Sequence, residues 1–458
     1  MEKDCQDSPC SLPEESCPEL CECPNFYKQW KLIGDPSDYI DSLIQNFGDF
    51  IHCRGVIDFY LINSPDLVAQ VCKQTHKFFN KQTSIYKRFR HALGDSLVNS
   101  EGEHWKRQRR LMTPTFTKSA IESYFQLMQT QVTTYLKTWD ESEGQEIQFE
   151  EAMNHLTLQV AGSVLFSSSF EEKAEDVYRW VKVISKFSAR PPLPIIGDPN
   201  FPRPLTYKTN KVLKEFKDYI DELIADREGE EHDDLFSVFL NMVDEETGEP
   251  MSHDEVAEEV LGMIFGSHES SATALTWLFY ELTENPECLE KVREEVKAVV
   301  GDRSIALEDL EELKYTEQVI YETLRLHPSF WFENRKAITE VELCGHTLKE
   351  GDLVAFSRYS LHRNPKAWPN PNRFDPERFD TEKVDLKALF RSGSYMPFGM
   401  GPRHCIGKNF AMMEMVLITA HIIQNYEVQR SGKCSGEKVT NLTMELKSGL
   451  AIKVTKTL

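Results

Sequence analysis

Phe398-Gly399-Met400-Gly401-Pro402-Arg403-His404-Cys405-Ile406-Gly407 is the stretch on which the reading of this chain turns. Three glycines surround one cysteine, so the backbone can turn tightly and come close to a bound group. An apolar, helix-like run follows from Asn409 to Ile423. A cysteine just ahead of a helix has its thiolate favoured by the helix dipole and by free backbone N–H groups. Arg403 adds positive charge two residues before it. A stabilised thiolate in a glycine-lined loop suits an iron centre that takes a single soft axial ligand. A glycine-rich loop around an inert buried cysteine is the alternative. The fixed spacing F-x-x-G-x-R-x-C-x-G, however, arises by chance in roughly one chain of this length in ten thousand.

Working outward, Glu322-Thr323-Leu324-Arg325 sets an acid and a base three apart, on one face of a helix. On a surface such a pair adds little. Within Gly102–Arg110, Trp105 and Arg109 are four apart and offer an indole donor and a guanidinium fork to a carboxylate. The long apolar pattern Asp254–Leu282 carries Gly262, Gly266, Ser270 and Ala274 at intervals of four. This stripe of small side chains on one helical face serves either close helix packing or a cavity wall. Inside it, Glu269 and Ser270 place a carboxyl beside a hydroxyl, a pair able to pass protons. The Ser270 hydroxyl can also bond back to the Gly266 carbonyl.

The Cys405 loop resembles the haem-binding loop of the cytochrome P450 superfamily, the haem-thiolate monooxygenases. That resemblance implies that Cys405 is the proximal iron ligand, with Phe398 and Gly407 beside it in the haem-binding loop. Glu322 and Arg325 resemble the family's E-x-x-R pair. Pro376-Glu377-Arg378-Phe379 is similar to the arginine segment that completes the same buried network. Trp105 and Arg109 match the family's W-x-x-x-R helix, which with Arg335 and Arg403 implies contacts to the haem propionates. Gly266-Ser267-His268-Glu269-Ser270-Ser271 is similar to the distal motif A/G-G-x-D/E-T-T/S. The match implies room for dioxygen at Gly266 and proton relay by Glu269 and Ser270. Two departures stand out, Ser267 for the second glycine and Ser270 for threonine. Serine is less restricted in rotamer than threonine, so looser coupling of reducing equivalents to product is expected.

The chain has 458 residues and a net charge of −22. An acidic balance argues against general binding to nucleic acid or anionic lipid. Apolar residues at 40% and aromatics at 11% supply a sizeable core and exclude disorder throughout. No run approaches the ~18 apolar residues of a membrane helix, and the first residues lack a positive n-region followed by an apolar stretch, so no signal peptide is expected. A soluble, cytoplasmic, monomeric protein without a membrane anchor is expected. Cys5, Cys10, Cys17, Cys21 and Cys23 are interleaved with prolines and lack C-x-x-C spacing, so residues 1–25 read as a flexible leader and 26–458 as one haem domain. Apolar periodicity predicts helices within Ala120–Trp139, Glu150–Phe166, Thr209–Ala225, Asp254–Leu282 and Thr316–Leu326. Strands are expected within Gly55–Val71 and Lys336–Val354, and a last hairpin over Asn441–Val454. The fold class is mainly α with a small β component, the α+β architecture of the P450 fold.

The family resemblance implies haem b as cofactor, O2 as co-substrate, and NAD(P)H as an indirect source of electrons. No fused reductase is expected, and a separate donor of ferredoxin or flavodoxin type is. Lys106, Arg107, Arg110 and Lys408 form a candidate basic patch for it on the proximal side. Family pocket segments would be Ser84–Val98, Pro191–Ile196 and Ser329–Phe332, which favour an apolar ligand such as a fatty acid, terpenoid or steroid. Arg88 and Arg90 lie in the first of these, where lone arginines more often sit at the surface than meet a substrate carboxylate. Two other readings stay open at this point: a haem-thiolate isomerase or dehydratase that needs no donor, and a non-catalytic haem sensor.

Overall fold

The computed structural model describes residues 17–24, 31, 35–142, 144–166, 173–189, 203–227, 234–432 and 434–457. Its longest element is the 32-residue helix His253–Glu284. The helix starts where Ser252 and Glu255 form a reciprocal capping box, which satisfies two otherwise orphaned N–H groups. From Ser271 to Phe279 every side chain is buried, as expected for a helix enclosed by others on all sides. It packs along Phe149–Phe166 and against Lys314–Leu326 and Lys408–Asn425. The predicted periodic segments fall on Phe125–Lys137, Phe149–Phe166, Pro204–Asp226, His253–Glu284 and Lys314–Leu326.

A six-stranded sheet flanks this helical mass. Its order is Cys21–Cys23, Phe50–Cys53, Phe59–Ile62, Leu353–Ser357, Phe332–Ala337 and Phe79–Asn80. Leu353–Ser357 pairs parallel with Phe59–Ile62 and antiparallel with Phe332–Ala337, so the sheet joins distant parts of the chain. The expected strand content of Gly55–Val71 is confined to Phe59–Ile62, because Pro65 opens a helix to Lys73. The end of the chain also differs from expectation. Lys438–Thr440 and Met444–Leu446 form the hairpin, while Ala451–Lys456 pairs with Tyr426–Ser431.

Part of the expected leader is structured. Cys21–Cys23 adds to the sheet edge in parallel with Ile51–Cys53, Cys23 is buried, and Cys17 is joined by a disulfide to Cys344. Three backbone pairings and one covalent bridge outweigh the proline-rich composition there. Residues 1–16 and residue 25 of that expected leader lie outside the described residues, as does the expected pocket segment Pro191–Ile196.

The Glu322–Arg325 pair is buried completely. Arg325 Nε donates to Glu322 Oε2 at 2.6 Å and Nη2 to Oε1 at 2.8 Å. The other guanidinium protons reach the carbonyls of His362, Pro371 and Arg373. Asp375 N–H donates to Glu322 at 2.8 Å, and Arg378 Nε lies 3.4 Å from it. This network pins the Pro371–Phe379 segment to the helix. Removing one member strands a buried charge, at a cost of about 3–5 kcal/mol.

Candidate haem-thiolate active site

The Cys405 loop is shaped by backbone contacts. Cys405 N–H donates to Phe398 O at 2.7 Å and His404 N–H to Gly401 O at 3.1 Å. Gly401 has φ +69°, and a Cβ there would lie 2.3 Å from the carbonyl oxygen of Cys72. No side chain fits, so the glycine lets the loop press on the end of the Pro65–Lys73 helix. Lys408–Asn425 begins three residues after the cysteine. Burial pushes the Cys405 thiol up, while the Gly407 N–H, Arg109, Arg358 and Lys408 pull it down.

Cys405 opens onto an internal cavity of about 600 Å³. The cavity's far wall is one face of His253–Glu284, from Glu259 through Gly266, Ser270 and Ala274. The small-residue stripe divides between its two possible uses. A Cβ at Gly262, which also lines the cavity, would lie 3.0 Å from Ser96, so Gly262 serves packing as well. A Cβ at Gly266 would meet nothing within 4 Å, so this glycine leaves open space above the loop. Ser270 Oγ donates to Gly266 O at 2.7 Å, the back-bond the sequence suggested. Ser329 Oγ donates to the Ser270 carbonyl at 2.8 Å and ties the helix to the opposite wall. Aromatic and aliphatic side chains from Ser84–Val98 and Ser329–Phe332 contribute to the rest of the lining, with others from Phe149–Phe166 and Lys408–Asn425.

Glu269 lies outside the cavity lining. Its Oε1 accepts from Ser185 Oγ at 2.8 Å and Thr443 Oγ1 at 3.0 Å. Thr443 Oγ1 also lies 3.1 Å from Glu445 Oε1, and Asn441 Nδ2 donates to Glu445 Oε2 at 3.1 Å. One hydroxyl therefore bridges two carboxyls, the second bonded to an exposed asparagine. Burial, with Glu445 and Glu150 adding repulsion, raises Glu269 to about 7 against the pull of Ser185 and Thr443. Burial likewise raises Glu445, and Glu150 to about 7. The family motif pointed to Glu269, but its hairpin partners are remote in sequence and went unnoticed.

Cations crowd the end of the cavity beside Cys405. Lys81, Arg109, Arg358 and Arg403 line it, together with Trp105 and Phe398. Arg403 Cζ lies 4.3 Å from the Trp105 ring centroid, and Arg403 pairs with Glu101 at 2.8 Å. Arg109 donates to His404 O at 3.1 Å. Arg335 is not in the lining. It pairs with Glu333 at 2.6 Å, on a carboxylate that also binds Arg358, so Arg335 acts one contact behind the wall. Sequence reasoning missed Lys81, Glu333 and Arg358, whose types carry no spacing signal. Burial and the neighbouring Arg335 and Arg403 push Lys81 far down. Among the described residues these four arginines and Lys81 face two carboxylates, Glu101 and Glu333. The Nε atoms of Arg358 and Arg403 also have no partner. An end so short of anions fits the two propionates of haem, with Cys405 as the thiolate.

The expected basic patch needs correction. Arg107 pairs with Glu255 at 2.7 Å, and Arg110 pairs with Asp244 at 2.8 Å and Glu246 at 3.0 Å. Lys106 reaches Glu103 at 2.7 Å, and Lys408 Nζ lies 3.9 Å from the Phe390 ring centroid. Acids folded in from residues 244–255 cancel much of the charge that looked unopposed along the sequence. Arg88 departs in the other direction: it is 2% exposed and lines the cavity. Arg90 pairs with Asp95 at 2.7 Å.

Over residues 23–452 the chain matches the family model for cytochrome P450, and it belongs to that family. It is similar to cyclooctat-9-en-7-ol 5-monooxygenase of Streptomyces melanosporofaciens, at 31% identity over 86% of this chain and 85% of the relative. Pentalenene oxygenase of Streptomyces avermitilis is 28% identical over 87% of this chain and 88% of its own. The chloroplastic protein LUTEIN DEFICIENT 5 of Arabidopsis thaliana is 29% identical over 88% of this chain and 71% of its own. The protein is a haem-thiolate monooxygenase. Its cofactor is haem b and its co-substrate is O2, with electrons from NAD(P)H arriving through a separate redox partner. Among the described residues no helix is long and apolar enough to cross a membrane.

Proposed function

We propose that this monooxygenase hydroxylates a terpenoid. The observation that carries this reading is a large, mostly apolar cavity opening onto Cys405, joined to the names of relatives that act on cyclic terpene skeletons. Cys405 would hold the haem iron, and Arg109, Arg358, Arg403, Lys81 and Trp105 its propionate edge. Bound there, haem supplies the thiolate-ligated iron at which dioxygen is cleaved and one oxygen atom enters the substrate. Ser270 and Gly266 shape the space above the loop. Ser270 keeps its hydroxyl on the cavity wall, where it holds a proton or a water.

Protons enter by a path of this chain's own residues. Glu445 takes a proton near the surface at Asn441, and the Thr443 hydroxyl passes one on by donating to one carboxyl while accepting from the other. Glu269, poised near neutrality, receives it. Rotation about its Cα–Cβ bond then carries the proton toward Ser270. Electrons come from a ferredoxin- or flavodoxin-type protein that meets the outer face of Gly102–Met112. A cytoplasmic site of action is supported by the unjoined Cys23 and Cys53 thiols, which lie in hydrogen-bonding reach. The Cys17–Cys344 bridge is the opposing observation.

The test is the carbon monoxide difference spectrum of the reduced protein, with Cys405→Ala as control. A strongly red-shifted Soret band that vanishes in the variant is the expected result. A band of the imidazole type in the parent protein would overturn the assignment of Cys405.

A further inference from the structure

One seam of the cavity wall is closed by side chains from opposite ends of the chain. Pro36 and Ile40, in the helix Pro36–Phe47, line the cavity on one side, and Thr440, Asn441 and Leu442 line it on the other. Thr440 Oγ1 donates to Asp35 Oδ1 at 2.6 Å. The same oxygen caps the helix by accepting the Ser37 N–H at 2.9 Å. Lys438 Nζ pairs with Asp38 at 2.5 Å. Asp38 is 72% exposed and Asn441 is exposed as well, so water lies immediately outside. The seam is thus held by polar contacts at a surface, which water competes for and which are weak, unlike the packed helices elsewhere in the wall. Lys438–Thr440 and Met444–Leu446 pair only with each other among the described residues, so no ladder ties this hairpin to either larger sheet. Its fixed point is buried Met444, whose N–H donates to Ser329 O at 3.0 Å and whose carbonyl accepts from Trp277 Nε1 at 2.7 Å. Between there and Thr440, Asn441 O accepts from Trp331 Nε1 at a longer 3.2 Å. Thr443, which bridges Glu269 and Glu445, is carried on the same turn.

We propose that the contacts of Asp35 and Asp38 with Thr440 and Lys438 form a gate for substrate, and that the gate is coupled to proton delivery. Swinging the Lys438–Leu442 side of the hairpin about Met444 parts Thr440 from Asp35 and opens a way from water into the cavity. The same swing draws Thr443 off Glu269. With the gate open, no proton reaches Glu269 through Thr443. With it shut, the substrate is enclosed and the path is whole. This rests on the monooxygenase reading of the cavity and on the Glu445–Thr443–Glu269 path, and adds the part that times one against the other. Coupling through a shared closed state is reciprocal, so whatever weakens the Thr443 contacts also loosens the gate.

The experiment uses the haem-loaded protein and phenylimidazole, a ligand that enters the cavity to bind the haem iron and shifts its spectrum. Mixing gives the rate of entry and dilution the rate of exit. Thr440→Val and Lys438→Met are each expected to raise both rates about fivefold, the factor for losing one surface contact, with the affinity nearly unchanged. Thr443→Val, which lies outside the clasp, is expected to raise both rates as well. In the parent protein, high salt screens the Lys438–Asp38 pair and is expected to speed entry and exit together, an effect absent from Lys438→Met. Rates that neither salt nor either clasp substitution moves overturn the gate. Because salt acts on the parent protein, a variant that fails to fold does not shield the proposal. A substitution that changes affinity through one rate alone reports a damaged pocket and also counts against the gate. Rates that respond to the clasp substitutions but not to Thr443→Val overturn the coupling. Failure of the underlying readings shows separately, as a missing thiolate band in the carbon monoxide spectrum or as unchanged use of reducing equivalents in Thr443→Val.

Discussion

The cavity wall beside Cys405 and the helices packed around the cavity bury charge of opposite sign and handle it differently. Beside Cys405, Arg109, Arg358 and Arg403 line a wall with Lys81, backed by Arg335. Along and behind the central helix stand the carboxyls of Glu259, Glu269 and Glu414. A buried carboxyl can shed its charge by taking a proton, and these three do so near or above neutral pH. A guanidinium cannot follow suit, since arginine stays protonated in proteins. The cationic end must therefore be matched by anions from elsewhere, whereas the acidic wall neutralises itself and becomes a set of donors and relays. Burial alone thus separates a region that binds an anionic cofactor from one that moves or offers protons.

The largest effect is expected at the cationic end. Arg403→Met removes a fixed charge that sits on Trp105 and pairs with Glu101. Losing one partner of a buried charge pair costs about 3 kcal/mol, so haem should leave roughly a hundredfold faster when followed by transfer to a scavenging globin. Lys81→Met should cost less than tenfold, because burial and the neighbouring guanidiniums already push the lysine toward neutrality. Equal losses from the two variants would break the contrast between fixed and sheddable charge.

A smaller effect is expected on the acidic wall. Thr443→Val removes the hydroxyl between Glu269 and Glu445 while keeping its volume. Product formed per NAD(P)H consumed should fall about tenfold, with peroxide release rising, and the carbon monoxide band should be unchanged. Ser270→Ala should act in the same direction at the cavity end of the path. Unchanged coupling in both would place the proton entry elsewhere.

How far the sequence could be read follows from the same contrast. The Cys405 loop was legible because its chemistry lies within ten consecutive residues whose glycines are fixed by backbone approach, as at Gly401. The helices were legible from periodicity, and Glu322–Arg325 from spacing of three. The pairing of Arg107 and Arg110 with residues 244–255 was not, since it joins segments more than a hundred residues apart. Charge counted along the chain therefore overstated the exposed positive patch. Thr443, Glu445, Arg358 and Lys81 were invisible for the same reason: each matters only through a partner that folding brings to it. Cys21–Cys23 shows local composition losing to a sheet edge, because proline and cysteine content does not reveal whether a strand partner exists.

The subtlest expected effect concerns Glu414, on the helix that follows the Cys405 loop. It is 1% exposed, and neither carboxyl oxygen has a hydrogen-bond partner within normal reach. Burial raises it to about 8, against a weak pull from the Ser271 hydroxyl. In the unfolded chain a glutamate titrates near its ordinary value of about 4.3. Below that value both states are protonated and the group costs nothing. Between there and about 8, the unfolded chain releases the proton and the folded protein keeps it, so stability falls as pH rises. Above about 8 the loss is complete. Glu414→Gln cannot titrate, so urea midpoints measured from pH 5 to pH 9 should show the variant gaining on the parent protein as pH rises. The gain should level off near pH 8, where the folded protein too has released the proton. A gap independent of pH would mean that Glu414 is ionised in the folded protein, and the self-neutralising wall would then end at Glu259 and Glu269.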